Sequence, residues 1–358
     1  MKGKTIAAAL AACILALTAM TALAEQHDEA QEAEAPRTEA EWIAVLESDA
    51  DWHEKQSACR ALRQIGTEAA VPALAALLDD PELSGLARFA LEPMPYPEAG
   101  AALREALTTT EGTLLAGVVT SLGVRQDEAA LDDLAALLAS DDADVAAAAA
   151  GALGRIGTAD SAEALLDGAD NATGPLRLAV GEGLLAACEG LRESRQARLA
   201  EPIYERLLEE KWAPHIQMGA FQGICTLRPR QAPARLLSAL GGDDPVFRDM
   251  AAQIIGEGSG TGDTRRFARA LKDLPREGQA ALLRGLAVRQ DAAARPAVLA
   301  KLDSPDAGLR VAAVTALGAL GNVEDVPTLV ALLDEEDEGL ATAARVGLRD
   351  LVNGDVNQ

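Results

Sequence analysis

Residues 304–334 read SPDAGLRVAAVTALGALGNVEDVPTLVALLD, and this stretch decides the fold. Ser304-Pro305-Asp306 joins an N-cap residue, a proline suited to the first helical position and an acid suited to the first turn, so a helix is expected to start here. Leu309, Ala313, Leu317 and Leu320 then recur at helical spacing and give one apolar face. Gly321-Asn322 ends that helix and turns the chain. Val326, Leu329, Val330 and Leu333 make the apolar face of a second helix, which Asp334 and its acidic neighbours close. Each helix carries only a few large apolar residues. Burying one is worth roughly 1.5–3 kcal/mol, too little for a lone helix pair to offset its ordering entropy. The unit therefore needs neighbours of its own kind.

Working outward, the neighbours are there. Leu62, Leu91, Leu122, Leu153, Leu184, Ile224, Ile255, Leu286, Leu317 and Leu348 follow one another at steps of 29, 31, 31, 31, 40, 31, 31, 31 and 31 residues. Two further rows keep the 31-residue step: Leu236, Phe267, Val298 and Leu329, and Leu240, Leu271, Leu302 and Leu333. Self-similarity at a fixed period of a few tens of residues marks stacked repeats. The expected fold is all-α, an α-solenoid of about ten helix-pair repeats over residues 37–352, with a short tail at 353–358. The 40-residue step predicts a longer helix pair over 176–210. Pro93, Pro95 and Pro97 predict an extended connection near the 29-residue step.

The phrases Ile65-Gly66, Val71-Pro72-Ala73-Leu74 and Leu77-Leu78-Asp79-Asp80 resemble HEAT repeats of the phycobilisome-lyase type. They return as Leu320-Gly321, Val326-Pro327-Thr328-Leu329 and Leu332-Leu333-Asp334. Ala87-Arg88-Phe89-Ala90-Leu91-Glu92-Pro93-Met94-Pro95 resembles a phrase of secreted bacterial HEAT proteins. The resemblance implies a right-handed HEAT-like superhelix and a binding role, and it names no partner.

Composition bounds the rest. The formal net charge is -24, with 56 acids against 32 Lys and Arg, which disfavours nucleic acid and anionic membranes as partners. Lys2 and Lys4, the apolar run Ile6–Ala22 and Ala22-Leu23-Ala24 read as a signal peptide cleaved after Ala24, hence an exported protein. Leu10-Ala11-Ala12-Cys13 is a rival lipoprotein box. Residues 25–36, EQHDEAQEAEAP, read as a disordered acidic tether. No segment of the mature chain is apolar and long enough to span a bilayer. Cys59, Cys188 and Cys225 remain after cleavage, and a Cys188–Cys225 disulfide stays open against buried thiols.

No catalytic constellation stands out. The three histidines, His27, His53 and His215, lie far apart, and His53-Glu54 is a single pair. One such pair cannot supply the paired His-Glu set of a HEAT-repeat di-iron hydroxylase, so no metal is expected. There is no Cys-x-x-Cys-His for a covalent haem, and no cofactor is expected. Gly256-Glu257-Gly258-Ser259-Gly260-Thr261-Gly262 matches neither nucleotide-binding glycine pattern and reads as an inter-repeat loop. Two surfaces compete for a partner. One gathers Tyr204, Trp212, His215 and Phe221 at the irregular step, as an aromatic patch of the kind that anchors interfaces. The other is a row on the concave side: Arg177, Gln217, Arg248, Gln279 and Arg310, each one residue after the first apolar position of its helix. The aromatic patch is favoured. The expected function is an exported, non-catalytic scaffold that binds an unknown protein. The alternatives are a carbohydrate- or peptide-binding accessory module and a lyase-like handler of a prosthetic group.

Overall fold

A computed structural model describes residues 37–209, 211–258 and 261–356. The expected signal segment, Cys13 and the acidic tether lie outside the described residues. All regular structure among the described residues is helical, twenty α-helices joined by turns and short 3-10 segments. They fall into two compact units that divide between Arg125 and Gln126.

The first unit holds α1 (Glu39–Glu47), α2 (Trp52–Ile65), α3 (Val71–Ala75), α4 (Ser84–Leu91), α5 (Pro97–Ala106) and α6 (Gly112–Val124). Thr38 and Glu41 form a capping box that starts α1, and the Asp51 side chain caps α2. The row residues Leu62, Leu91 and Leu122 are fully buried. The short step comes from α4 itself, which begins seven residues before Leu91, where α2 and α6 begin ten before theirs. The prolines act one step later. They stop α4 from continuing, and Pro97 opens α5. The carbonyls left without helical partners are collected by one side chain. Arg125 donates to the carbonyls of Leu91 at 2.7 Å, Glu92 at 3.0 Å, Met94 at 2.7 Å and Tyr96 at 3.3 Å.

The second unit continues the alternation of shorter and longer helices. It holds α7 (Leu131–Leu137), α8 (Ala143–Ile156), α9 (Ala159–Ala169), α10 (Gly174–Glu193), α11 (Ala197–Leu207), α12 (Pro214–Leu227) and α13 (Ala232–Gly241). Then come α14 (Pro245–Glu257), α15 (Thr261–Ala270), α16 (Arg276–Arg289), α17 (Arg295–Leu299), α18 (Ala307–Leu320), α19 (Val326–Ala331) and α20 (Glu338–Val356). Every even-numbered helix of the chain carries one residue of the main row. Leu153 to Leu317 are at most 1% exposed, and Leu348 packs partly buried on the same core. The even helices touch through glycine. A Cβ on Gly183 of α10 would sit 2.6 Å from the Ala150 carbonyl oxygen of α8, and one on Gly318 of α18 would sit 2.4 Å from the Gly347 Cα of α20. Side chains there would hold the helices apart.

Three boundaries differ from expectation. The cap of α18 is Asp306, whose carboxylate accepts the Leu309 N–H at 3.0 Å. Ser304 instead accepts the Asp306 N–H at 3.2 Å, so the start signal acts two residues later than read. The irregular step lengthens one helix rather than a pair. α10 has 20 residues, whereas α11 has an ordinary 11, because six of the nine extra residues extend α10 and the rest lie between it and α12. At the other end, α20 runs to Val356, through most of the expected tail. No helix among the described residues is long and apolar enough to cross a membrane.

Candidate functional site

The four residues of the aromatic patch lie on α11, α12 and the turn between them, and three of them face inward. Tyr204, Trp212 and Phe221 are 2%, 3% and 3% exposed, so they present no surface to a partner. The longer α10 creates the space that they fill. Tyr204 stacks over Gly223 and donates its hydroxyl to Glu189 at 3.3 Å. Trp212 lies against Gly181 and donates its indole N–H to the Arg206 carbonyl at 3.0 Å. Phe221 meets Phe247 edge to face at 5.8 Å. Only His215 is exposed, 3.6 Å from the Glu182 carboxylate. The enrichment in large side chains is core, filling the gap left by an irregular repeat.

The polar row is also occupied. Each member sits in the first turn of its helix and reaches outward only as far as the nearest connection. Arg177 Nε donates to the Ala172 carbonyl at 2.9 Å, Arg248 to that of Gly242 at 2.8 Å and Gln279 to that of Leu274 at 2.7 Å. Gln217 donates to the carbonyls of Leu208 and Glu209 at 3.1 and 2.9 Å. Arg310 pairs instead with Glu335 of the next connection at 3.3 Å. The row clamps loops, so it is not a free basic stripe.

Chemistry of other kinds finds little to use. His53 and Glu54 are exposed at the start of α2. Among the described residues, no three His, Cys, Asp or Glu side chains gather in a way that could hold a metal ion. Cys59, Cys188 and Cys225 are buried and form no disulfide. Burial pushes their thiols up to about 11, 12 and 11, so they are poor nucleophiles.

The open surface lies elsewhere, where α15 is flanked by α13 and α17. A groove of about 1250 Å³ is lined by apolar residues, most of them small, with Leu237, Ala268, Ala293, Pro296, Ala297 and Ala300 among them. The same lining carries Arg265, Arg266, Arg269, Lys272 and Lys301, and Asp273 is the one acid in it. Arg265, Arg269 and Lys272 fall at helical spacing along one edge. Arg265 also faces Asp291, whose carboxyl is held below its usual range by the Ala293 N–H, then by Thr264, Arg289 and Arg265. Sequence reading missed this site because the total charge of -24 hides it. A windowed count exposes it: residues 261–301 carry nine Lys and Arg against four Asp and Glu.

Helices in antiparallel-pair order, with one apolar register through every second member, define an α-solenoid of stacked helix pairs. The HEAT repeats family model matches residues 100–186 and 264–349, and the PBS lyase HEAT-like repeat model matches residues 55–80. The chain belongs to the HEAT-repeat proteins. Its fold is similar to that of Kap95p, solved with RanGDP, at 12% identity and a TM-score of 0.52 over 86% of this chain and 49% of that one. It thus spans about half the length of that relative. It is also similar to the CpcE and CpcF phycocyanin lyase complex of Nostoc sp. PCC7120, at 19% identity and a TM-score of 0.30 over 90% of this chain and 97% of that one. Human deoxyhypusine hydroxylase is similar at 20% identity and a TM-score of 0.34, over 71% and 96%. These likenesses are of fold. No curated protein matches the sequence.

Proposed function

We propose that the chain is an exported, non-catalytic HEAT-repeat scaffold that binds a protein partner. One observation carries this reading: the α15 groove is open and lined by small apolar residues together with five cations, the composition of a surface that exchanges water for another chain. Export rests on the N-terminal sequence pattern. The mature protein should begin at Glu25 by intact mass, and a lipid-modified Cys13 at the N-terminus would overturn cleavage after Ala24.

The binding role is tested with a photo-crosslinking amino acid at position 272, in the groove, and at position 49, on an exposed turn of the first unit. A defined protein adduct in the exported fraction at position 272, absent at position 49, supports the reading. Recovery of glycans alone, or a turnover abolished by one point substitution, overturns it.

A further inference from the structure

We propose that the α15 groove receives an acidic helical segment of a partner protein, rich in small apolar residues. This deepens the reading of the chain as a protein-binding scaffold and rests on it.

Five observations converge. The groove, at about 1250 Å³, exceeds the usual 300–1,000 Å³ range of small-molecule clefts, so a length of chain fits it better than a metabolite. Its lining of alanines and Pro296 leaves room for a second helix to lie close, as glycines do where α8 meets α10 and α18 meets α20. Arg265, Arg269 and Lys272 stand one and two helical turns apart along α15 and the 3-10 segment after it, and Lys301 joins the lining from the turn after α17. Acids at the same spacing on a bound helix would meet them in register.

The cations are also available. Among the described residues, Arg266, Arg269, Lys272 and Lys301 form no ion pair, whereas their neighbours do. Arg284 pairs with Asp249 at 2.6 Å, Arg295 with Asp325 at 2.7 Å, Arg310 with Glu335 at 3.3 Å, and Arg276 with Asp306. In a chain with 56 acids for 32 Lys and Arg, pairing is the easy outcome for any base. Here it does not occur.

Finally, the fold does not require basic walls. The corresponding groove beside α7 and α9, about 590 Å³, is lined by Asp160, Glu163 and Asp167, with no Lys or Arg. The two clefts share architecture and differ in sign. The charge at α15 therefore belongs to what is bound and not to how the repeats stack. Nucleic acid is the weaker fit, because the groove presents no aromatic side chain for base stacking and the surrounding chain is strongly acidic.

The test uses the full mature chain and fluorescence anisotropy. The probe is a fluorescein-labelled amphipathic peptide, EALEEAAEALEEAAEA, with a control in which glutamine replaces every glutamate. Binding to the wild type should weaken about tenfold in the triple variant Arg266→Glu, Lys272→Glu, Lys301→Glu, and by a similar factor when salt is raised from 50 to 200 mM. All three side chains reach solvent, and an unchanged thermal melt checks that the variant is folded. Arg284→Glu, outside the groove, should leave binding within about twofold.

Equal binding to wild type and triple variant overturns the proposal. So does equal binding of the glutamine control. Tighter binding of labelled oligothymidylate than of the peptide reassigns the groove to nucleic acid, and tighter binding of a peptide copying residues 25–36 reassigns it to the chain's own acidic segment. The two readings fail separately. If a natural partner still binds the triple variant at full strength, the scaffold reading stands and the groove assignment falls. If the peptide binds as expected but the exported fraction yields no protein that binds the chain, by crosslinking at position 272 or otherwise, the scaffold reading falls.

Discussion

Gly151→Ala and Gly183→Ala make the same chemical change on two helices that touch, and they should move stability in opposite directions. Both glycines lie in helix interiors, Gly151 in α8 and Gly183 in α10. Alanine in either place gains about 0.5–1 kcal/mol from helix propensity and reduced unfolded-state entropy. At Gly151 a new Cβ meets nothing within 4 Å, so that gain should appear in full. At Gly183 it would lie 2.6 Å from the Ala150 carbonyl oxygen, a backbone atom that cannot rotate away. The helices must separate by several tenths of an ångström, and overpacking of this kind costs about 1–3 kcal/mol. Propensity cancels in the comparison, so Gly183→Ala should be less stable than Gly151→Ala by about 1–3 kcal/mol. Urea melts by circular dichroism read the difference as a change of midpoint at constant slope. A difference below about 0.5 kcal/mol would refute the close approach of α8 and α10 and the glycine-mediated stacking drawn from it.

Other perturbations test separate contacts. Leu317→Ala should cost about 2–5 kcal/mol, because the side chain is fully buried, while Thr315→Ala, two residues away and exposed, should cost well under 1 kcal/mol in the same melt. Asp325 is buried, and burial alone would raise its pKa. The two bonds from Arg295 at 2.7 and 2.8 Å and one from the Asn322 N–H at 3.0 Å outweigh that and lower it. Its contribution is therefore present above the ordinary carboxyl range near pH 4 and lost as pH falls through the lower folded value. Asp325→Asn should be less stable at pH 7 by about 1–3 kcal/mol and should converge on the wild type in acid melts, whereas a gap independent of pH would contradict the pair. Cys59, Cys188 and Cys225 should resist an aromatic disulfide reagent at pH 8 until denaturant is added, since burial shields them and pushes their thiols up to about 11, 12 and 11. Arg248→Ala removes the bond to the Gly242 carbonyl, so it should lower stability by about 0.5–1.5 kcal/mol and leave peptide binding in the α15 groove unchanged.

The repeat was legible because burial imposes a period, and the period survives in residues as ordinary as Leu153 and Leu286. Each sits at the same depth of an even-numbered helix, and the chain spells this out every 31 residues. The same logic misled at Tyr204, Trp212 and Phe221. Rarity in an aromatic-poor chain marks a place that needs bulk, and sequence alone does not say whether the bulk faces water or the gap left by a longer α10. Arg177, Gln217 and Arg248 were legible as a row but not as clamps, since their acceptors are backbone carbonyls, which every residue has. The α15 groove was invisible for a third reason. Its five cations come from α15, the 3-10 segment that follows it and the turn after α17, and only folding brings Lys301 to the same cleft as Arg266.

Lysine acetylation with mass-spectrometric readout tests the groove most directly. Lys55, Lys211, Lys272 and Lys301 all carry amines on the described surface, and only the last two line the groove. With the acidic peptide at saturation, Lys272 and Lys301 should be protected while Lys55 and Lys211 react at their free rates. Protection spread evenly over all four, or confined to Lys211 beside the buried aromatic cluster, would contradict the assignment.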